Sequence, residues 1–361
     1  MVQNKGVVFK SVPVGLPVPG KDLAVEPRDF DISQTPPSGG IMTKNFYASF
    51  DPYQRGRMRE PTKASYSPPF ELEKPITNAV VAKVLKSDNK QFKAGDILVG
   101  TLPIEEYSAV SKPVADTLKN IDNPHQLDLV MFLGPLGMPG LTAFSSLYDI
   151  GQPKKGETIF ISAASGAVGQ LVGQLAKHEG LKVIGSVGSD EKLEYILKDL
   201  NFDGGFNYKT EKPGAALKRL APDGIDIYYE NVGGEQLEAA IDAMKDWGRI
   251  IACGMVSEYS KADSEKYGVR NLMLVVGKRI TIRGFIVSDA NMGPRYVKDR
   301  DEKVAKWLKD GSFKAKISIT DGIDQAPEGF VGMLQGKNFG KAVLKIADVE
   351  VSDARSFCEW R

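Results

Sequence analysis

The sequence predicts an α/β protein with two domains, one rich in short β-strands and one built on a doubly wound parallel sheet. The chain has 361 residues, which is long for a single hydrophobic core. Its first third consists of short apolar runs broken by proline and glycine. From about residue 131 onward, strand-like and helix-like segments alternate, which is typical of a parallel sheet covered by helices.

Residues 1–130 are predicted to form the β-rich domain. Runs such as 78–85 and 96–100 combine valine, isoleucine and leucine and are bounded by turn residues, so we expect short strands there. Residues 131–298 are predicted to form the parallel-sheet domain. Residues 299–361 are expected to return to the first domain after a helix at 299–308.

Six strands are predicted in the parallel-sheet domain, at 158–161, 181–186, 205–208, 225–230, 249–254 and 279–285. Helices are predicted between most of them, at 191–199, 214–220, 235–244 and 267–277. Right-handed connections between such strands give an open parallel sheet of the Rossmann type, whose ligands bind at the carboxyl ends of the strands.

Net charge, cysteine content and apolar stretches indicate which partners and which cellular location to expect. The net charge is +1 and no basic run is present, so nucleic acids and anionic membranes are not expected to bind. The two cysteines, Cys253 and Cys358, lie far apart in sequence and give no disulfide framework. The first residues lack the features of a signal peptide and no apolar stretch is long enough for a membrane span. We therefore expect a cytoplasmic protein.

A glycine motif marks the cofactor site. The apolar run at 158–161 leads into an AxxGxxG pattern formed by Ala163, Gly166 and Gly169, and then into an amphipathic helix. A strand, a glycine turn and a helix N-terminus together bind the pyrophosphate of a dinucleotide, because backbone N–H groups and the positive helix end both favour an anion. The alternative is a glycine-lined helix that merely packs on a sheet.

The end of the second predicted strand favours NADP over NAD. An NAD site usually places an acid about 20 residues beyond the glycines, but that position holds Ser186 in a small, neutral segment. Lys192 lies one turn into the next helix, from which it is able to reach a 2′-phosphate. Asp190 is the competing acid, yet after Ser189 it is more simply a residue of the first helical turn. Lys192 could equally be a solvated lysine on spacing alone.

Several other chemistries are not supported. The chain has only two histidines and two cysteines, none in a metal-ligand spacing, so no metal site is expected. Tyr208 and Lys212 have the YxxxK spacing of short-chain dehydrogenases, but Pro213 follows at once and prevents the helix that pair requires. A GxSxG nucleophile motif is also absent.

With these features in place, the chain resembles the medium-chain dehydrogenases/reductases that lack zinc. Within them it resembles the NADP-dependent 2-alkenal double-bond reductases and the prostaglandin/leukotriene reductases. The matching stretches span most of the chain in the family's order, at 51–58, 136–143, 155–177, 188–192, 206–209, 226–234, 248–255, 284–289 and 338–341.

The resemblance implies a GroES-like substrate domain, a Rossmann domain, a cleft between them, NADP(H) as cofactor and a homodimer. Carried over by position, the pyrophosphate would be held by Gly166, Ala167, Val168 and Gly169, the adenosine ribose and its 2′-phosphate by Gly188, Lys192 and Tyr208, and the nicotinamide end by Asn231, Cys253, Phe285, Ile286, Val287 and Asn338. The tail beyond Ile346 has no counterpart in the family pattern.

The implied reaction is conjugate reduction of a small, apolar α,β-unsaturated aldehyde or ketone. Hydride would move to the β-carbon, and the resulting enolate would need alignment and a neutral donor. Tyr53 and Tyr259 are the candidate donors. Two alternatives stay open: an NADPH quinone reductase of the same superfamily, and a non-catalytic NADPH-binding sensor or scaffold.

Simpler roles also exist for several candidate residues. Tyr53 could be a turn residue and Cys253 a small buried apolar residue. Three further candidates could be ordinary sheet residues, namely Tyr208, Phe285 and Val287. The basic cluster near Tyr53 is expected to be solvated, and it consists of Arg55, Arg57 and Arg59.

Overall fold

The computed structural model describes residues 1–349, which form two compact units. Among these residues, the first unit comprises Met1–Leu133, Ser318–Asn338 and 342–349, and the second comprises Gly134–Ile317 and Phe339–Lys341. Cys358 and the end of the tail lie outside the described residues.

Sixteen strands and ten α-helices are present in residues 1–349. The strands are β1 (Val2–Phe9), β2 (Leu23–Phe30), β3 (Ile41–Ser49), β4 (Lys74–Pro75), β5 (Thr77–Ser87), β6 (Ile97–Pro103), β7 (Tyr107–Val110), β8 (Lys119–Asn120), β9 (Thr158–Ile161), β10 (Lys182–Val187), β11 (Gly204–Asn207), β12 (Ile225–Glu230), β13 (Met244–Ala252), β14 (Thr281–Gly284), β15 (Ile317–Asp321) and β16 (Lys341–Lys345).

The helices are α1 (Gln54–Arg57), α2 (Lys112–Ala115), α3 (Met138–Ser146), α4 (Gly169–His178), α5 (Asp190–Glu194), α6 (Pro213–Leu220), α7 (Gly234–Ala243), α8 (Met273–Gly277), α9 (Val297–Asp310) and α10 (Ala326–Leu334). Wider π-helical turns extend α3 over Leu147–Gly151 and α5 over Tyr195–Asp199. Tighter 3₁₀ turns lie at Leu129–Leu133, Val256–Glu258, Asp263–Glu265, Gly293–Tyr296 and Ile323–Gln325.

The first unit is rich in antiparallel β-structure. Its larger sheet has the order β15-β16-β3-β5-β6-β8, with β7 beside β3, and a smaller sheet has the order β2-β1-β4. The returning α10 packs into its core, where the rings of Phe50 and Phe330 meet edge to face at 5.7 Å. The short helix α1 lies beside the start of β5, where the Asn78 side chain donates to Gln54 Oε1 at 2.9 Å.

The second unit contains a six-stranded parallel sheet in the order β11-β10-β9-β12-β13-β14. The chain moves outward in one direction from β9 and in the other from β12, so the predicted doubly wound fold is confirmed. Stacked aromatic rings fill one face of the sheet, with Phe160 lying 5.0 Å from Tyr228 and 5.9 Å from Phe206. All six carboxyl ends meet at one edge.

One predicted helix is wrong over most of its length. The segment 267–277 is helical only in α8, because its earlier polar groups bond outside the segment. The amide of Tyr267 donates to Glu258 and that of Arg270 donates to Glu238, while the Asn271 side chain donates to the Glu238 carbonyl. These bonds replace the repeating backbone bonds of a helix.

The segment 299–317 clusters with the second unit, whereas the sequence assigns it to the returning tail. Its main element, α9, packs on the second unit through Arg300, which is buried and donates to the carbonyl of Gly137 at 2.6 Å. The Trp307 ring stacks on His178 at 4.3 Å. A charged helix of this kind gives little sequence signal for the surface on which it packs.

No helix in residues 1–349 combines the length and the apolar character needed to cross a membrane.

Candidate active site

The glycine turn lies between β9 and α4, as its motif predicts. Gly166, Ala167 and Val168 are partly exposed, and Gly169 begins the helix. A side chain at Gly169 would place its Cβ 2.4 Å from the Ala163 carbonyl oxygen, and one at Gly166 would come within 3.1 Å of the same atom. The backbone is therefore packed closely at both positions, as it is in a pyrophosphate-binding turn.

The returning segment lies against this turn. Gly340, two residues after Asn338, pairs in parallel with Gly166, and its N–H donates to the Ser165 carbonyl at 3.1 Å. A Cβ at Gly340 would overlap the Lys316 carbonyl at 1.9 Å, and Gly340 has a φ of +74°. These backbone contacts fix the chain at Gly340 and leave no room there for a side chain.

The ends of β10 and β11 bring together the residues predicted at the adenosine end. Gly188 follows β10, and a Cβ there would lie 3.0 Å from the hydroxyl of Tyr208, which follows β11. Tyr208 is 44% exposed, so its ring is available to a ligand rather than packed as a sheet residue. Lys192 is half-buried in α5, where the Ser189 side chain accepts from its N–H and caps the helix.

The electrostatics of this corner favour an anion. Burial lowers the pKa of Lys192, and the charge of Lys209 lowers it further, while Glu191 opposes the shift. Two ammonium groups therefore interact unfavourably at the strand end. The neutral Ser186 is fully buried and its hydroxyl donates to Gln236 at 2.5 Å, so no acid takes its place at the end of β10. Asp190 accepts from the Asn207 side chain at 2.8 Å.

At the end of β12, the turn that holds Asn231 is fixed by two buried side chains. The Asn231 amide nitrogen donates to Ser162 Oγ at 2.9 Å, and its side chain donates to the Ser162 carbonyl at 2.8 Å. Glu230 Oε1 accepts from the backbone of Val232 at 2.6 Å and of Gly233 at 2.9 Å. Burial raises the pKa of the Glu230 carboxyl, although these backbone donors oppose the shift.

Cys253 follows β13 at the same edge of the sheet. Its backbone N–H donates to the Glu230 carbonyl at 3.0 Å. Burial raises the pKa of its thiol to about 12, and the hydrogen bond with Tyr229 does not reverse this. A thiol with so high a pKa stays protonated near pH 7, which does not favour a nucleophilic role for Cys253.

Tyr259 lies on the loop after Cys253. Its hydroxyl oxygen accepts from the Met255 N–H at 3.2 Å and lies against Gly254, where a Cβ would approach it to 2.7 Å. The loop is tied to the Asn231 turn, because the N–H of Val256 donates to the Asn231 carbonyl at 3.0 Å. Tyr259 thus lies beside the carboxyl ends of β12 and β13, at the edge where the sequence predicts it.

Phe285, Ile286 and Val287 follow β14 and are half-buried. They form a turn rather than part of the strand, and the Val287 carbonyl accepts from the Gly293 N–H at 3.0 Å. A Cβ at Gly293 would lie 2.2 Å from that carbonyl oxygen. The backbone here is therefore fixed by a close contact.

In the first unit, Tyr53 precedes α1 and belongs to a polar cluster. Its hydroxyl donates to Asn78 Oδ1 at 2.9 Å, and the Asn78 side chain donates in turn to Asp51 and to Gln54, each at 2.9 Å. Burial raises the pKa of Tyr53 to about 12, with a further contribution from Asp51 that Arg57 partly opposes. The phenol is therefore neutral near pH 7.

The expectation that the nearby arginines are solvated is wrong, because Arg57 is buried and both Arg55 and Arg59 are half-buried. The Arg55 guanidinium donates to the carbonyl of Gly15 at 2.7 and 3.0 Å. Arg57 donates to the carbonyls of Pro68 at 3.0 Å and Thr77 at 2.9 Å, and lies over the Phe70 ring. Both cations brace the loops around Tyr53.

Comparison with known proteins identifies the family. Residues 5–118 match the N-terminal domain of oxidoreductase, and residues 167–302 match the zinc-binding dehydrogenase family. The chain is 56% identical to NADP-dependent oxidoreductase RED1 of Cochliobolus heterostrophus, over 97% of this chain and 99% of that protein. The chain belongs to the medium-chain dehydrogenase/reductase family of NADP-dependent oxidoreductases.

Two further similarities are informative. The chain is 43% identical to a 2-alkenal reductase (NADP(+)-dependent) of Nicotiana tabacum, over 96% of this chain and 98% of that protein. CurA of Vibrio vulnificus in complex with NADPH has a TM-score of 0.85 at 32% identity, covering 96% of this chain and 100% of that one. The prediction of NADP(H) as the cofactor is confirmed by these relationships.

Within residues 1–349, no group of three or more His, Cys, Asp or Glu side chains is placed to hold a metal ion.

The sequence did not identify four residues that organise these sites, namely Asn78, Ser162, Lys209 and Glu230. Lys209 follows Tyr208 directly, so the basic pair with Lys192 was visible in the sequence. Ser162 follows β9 and Glu230 ends the neighbouring β12, which is a signal only once the strand order is known. Asn78 carried no local signal, because its partners come from a different strand and turn.

Proposed function

We propose that this protein reduces the carbon–carbon double bond of α,β-unsaturated aldehydes and ketones with NADPH, without a metal. The observation that carries the proposal is the position of Tyr259, whose oxygen accepts from the Met255 N–H beside the ends of β12 and β13. A neutral tyrosine hydroxyl at this edge of the sheet is the kind of donor that a developing oxyanion requires.

The residues of the second unit fit NADPH. Gly166, Ala167, Val168 and Gly169 would hold the pyrophosphate, since a side chain has no room at Gly169 and little room at Gly166. Gly188, Lys192 and Tyr208 would hold the ribose and its 2′-phosphate, with Lys209 as a second cation. The nicotinamide end would be lined by Asn231, Cys253, Phe285, Ile286, Val287 and Asn338. When bound, NADPH supplies the hydride.

The tyrosines would supply what the substrate needs. Reduction at the β-carbon leaves negative charge on the carbonyl oxygen, and a donor aimed at that oxygen stabilises the transition state more than the ground state. A phenol with a pKa of about 12, as at Tyr53, keeps its proton and stabilises the charge by hydrogen bonding. Tyr259 and Tyr53 are therefore the proposed catalytic residues.

The substrate would be a small, apolar α,β-unsaturated carbonyl compound, and the name of the tobacco relative specifies 2-alkenals. We also propose a homodimer. Its support is the edge strand β14, all four residues of which are exposed, next to the exposed apolar side chains of α8.

The test is NADPH oxidation across 2-alkenals, enones, saturated aldehydes and quinones, with and without a chelator. We expect turnover of alkenals and enones alone, unaffected by the chelator. Tyr259→Phe should lower kcat about 100-fold, as loss of an oxyanion donor does. The control is Tyr148→Phe, whose hydroxyl donates to Glu179 elsewhere in the second unit, and it should leave kcat unchanged.

Two results would favour the alternatives. Turnover of quinones without alkenals would favour a quinone reductase. Tight binding of NADPH without turnover of any acceptor would favour a sensor or scaffold.

A further inference from the structure

Asn78 is a buried asparagine in the first unit whose side-chain orientation is fully determined. It is 3% exposed and lies near the start of β5. Its Nδ2 carries two protons and lies within hydrogen-bond distance of three acceptors, the Ser49 carbonyl at 2.8 Å, Asp51 Oδ2 at 2.9 Å and Gln54 Oε1 at 2.9 Å. Each of these three atoms accepts hydrogen bonds, so the side-chain nitrogen must face them.

The opposite atom, Oδ1, therefore faces Tyr53. An amide oxygen only accepts hydrogen bonds, and a phenol has one proton. The 2.9 Å contact between Tyr53 Oη and Asn78 Oδ1 consequently uses the single proton of Tyr53. To donate to a substrate, Tyr53 must give up this bond and leave Asn78 Oδ1, a buried acceptor, without its partner.

We infer that Asn78 is a positioning residue that makes the Tyr53 hydroxyl selective for the developing enolate over the substrate carbonyl. This inference rests on the proposed reduction. A neutral aldehyde or ketone oxygen is a weaker acceptor than the Asn78 amide oxygen, so exchange brings no gain in the ground state. An enolate oxygen is anionic and forms a stronger hydrogen bond, so exchange is favourable when charge develops.

The surrounding charges are consistent with this exchange. Asp51 accepts from Ser49 Oγ as well as from Asn78, which holds the carboxylate on the Asn78 side of the cluster. The Arg57 guanidinium is the cation near the Tyr53 hydroxyl and is fixed by the carbonyls of Pro68 and Thr77. Tyr53 thus keeps the single proton that it donates either to Asn78 Oδ1 or, in the proposed exchange, to the enolate oxygen.

The test is Asn78→Ala, assayed with NADPH and a 2-alkenal. Without the competing acceptor, Tyr53 should also donate to the carbonyl in the ground state. We expect kcat and the KM for the alkenal to fall together, each about three- to tenfold, with kcat/KM changing less than about threefold. A purely structural loss would instead lower kcat with KM unchanged or raised.

A double-mutant cycle identifies the residue through which Asn78 acts. In a Tyr53→Phe background, Asn78→Ala should change kcat and KM by less than about twofold, because the proton it competes for is gone. Equal effects in both backgrounds would overturn the inference.

Asn45 provides a matched control in the same sheet. It is fully buried, its Nδ2 donates to the carbonyl of Glu105 at 2.8 Å and to Ser108 Oγ at 3.1 Å, and its Oδ1 accepts from the Thr43 hydroxyl at 2.9 Å. Asn45→Ala removes a similar polar network without a tyrosine. It should leave the alkenal KM unchanged, and a fall in KM there would also contradict the inference.

The outcomes separate the two proposals. If the wild-type protein turns over no alkenal or enone, the proposed function fails and the inference fails with it. If the wild-type protein is active but Asn78→Ala does not lower KM, the inference alone fails.

Discussion

The side chains of Ser162 and Glu230 are hydrogen-bonded, with 3.2 Å between Ser162 Oγ and Glu230 Oε1. Ser162 directly follows β9 and Glu230 ends β12, the neighbouring strands from which the sheet proceeds in opposite directions. Ser162 leads into the glycine turn and Glu230 into the turn that holds Asn231. The bond therefore connects the two turns at the point where a doubly wound sheet binds its ligand.

Glu230 should make stability depend on pH. Burial raises the pKa of its carboxyl above 4.5, so the folded protein binds this proton more tightly than the unfolded chain does. The free energy of unfolding should consequently fall as the pH rises from about 4.5 through the raised pKa. Glu230→Gln does not titrate, so its melting temperature should increase relative to the wild type as the pH rises from 4.5 to 8.

The control for this measurement is Glu60→Gln, at an exposed position in the first unit. Its melting temperature should follow that of the wild type across the same range. A constant difference between Glu230→Gln and the wild type would show that Glu230 keeps the same pKa on unfolding.

Lys192 should determine the preference for NADPH over NADH. Its half-buried ammonium group lies near Lys209, so a 2′-phosphate would relieve an unfavourable interaction. Lys192→Ala should raise the KM for NADPH about tenfold or more, since hydrogen bonds to charged groups contribute about 1.5–3 kcal/mol. The KM for NADH, which lacks the phosphate, should change less than about twofold.

Lys198→Ala serves as the control, because Lys198 is exposed in the turn that extends α5 and pairs with Glu194. It should alter neither KM. A parallel rise for NADPH and NADH in Lys192→Ala would indicate damage to the helix rather than loss of a phosphate contact.

Local patterns predicted the second unit well because each of its elements carries its own signal. The Ala163 carbonyl leaves no room for a Cβ at Gly169 and little room for one at Gly166. Because this contact is only a few residues away, the spacing of the two glycines is informative. The segment 267–277 lacked such a local cause, since its polar groups bond to Glu258 and Glu238 from other elements. Bonds of that kind have no periodicity to detect.

The site in the first unit illustrates the same limit. Tyr53 could be identified through the Asp51-Pro52-Tyr53 stretch, but not the residue that orients its proton. Asn78 follows Tyr53 by 25 positions and approaches it only because β3 and β5 are paired. Arg57 was expected in solvent because its carbonyl partners, Pro68 and Thr77, lie in other segments.

Gly169 should not tolerate even a methyl group. In Gly169→Ala the new Cβ would lie 2.4 Å from the Ala163 carbonyl oxygen and 2.9 Å from Ala164 Cα, both of which are backbone atoms. We expect a loss of about 1–3 kcal/mol in the free energy of unfolding, as for other overpacked sites, together with weaker binding of NADPH. Gly214→Ala is the control, because nothing lies within 4 Å of its Cβ position in α6. That variant should be at least as stable as the wild type, and equal stabilities of the two variants would contradict the predicted clash.

The free edge of β14 should mediate dimerisation. In residues 1–349 this strand has β13 as its neighbour on one side and no strand on the other. Ile282 is exposed on β14, and Met273 and Val276 on α8 are each 78% exposed. An unpaired edge beside exposed apolar side chains is a template for pairing with another chain.

Light scattering should give twice the monomer mass for the wild type, and Ile282→Glu should shift the protein toward monomer. Leu72→Glu, at a similarly exposed apolar position in the first unit, should remain dimeric. If Ile282→Glu leaves the mass unchanged, the β14 edge is not the interface.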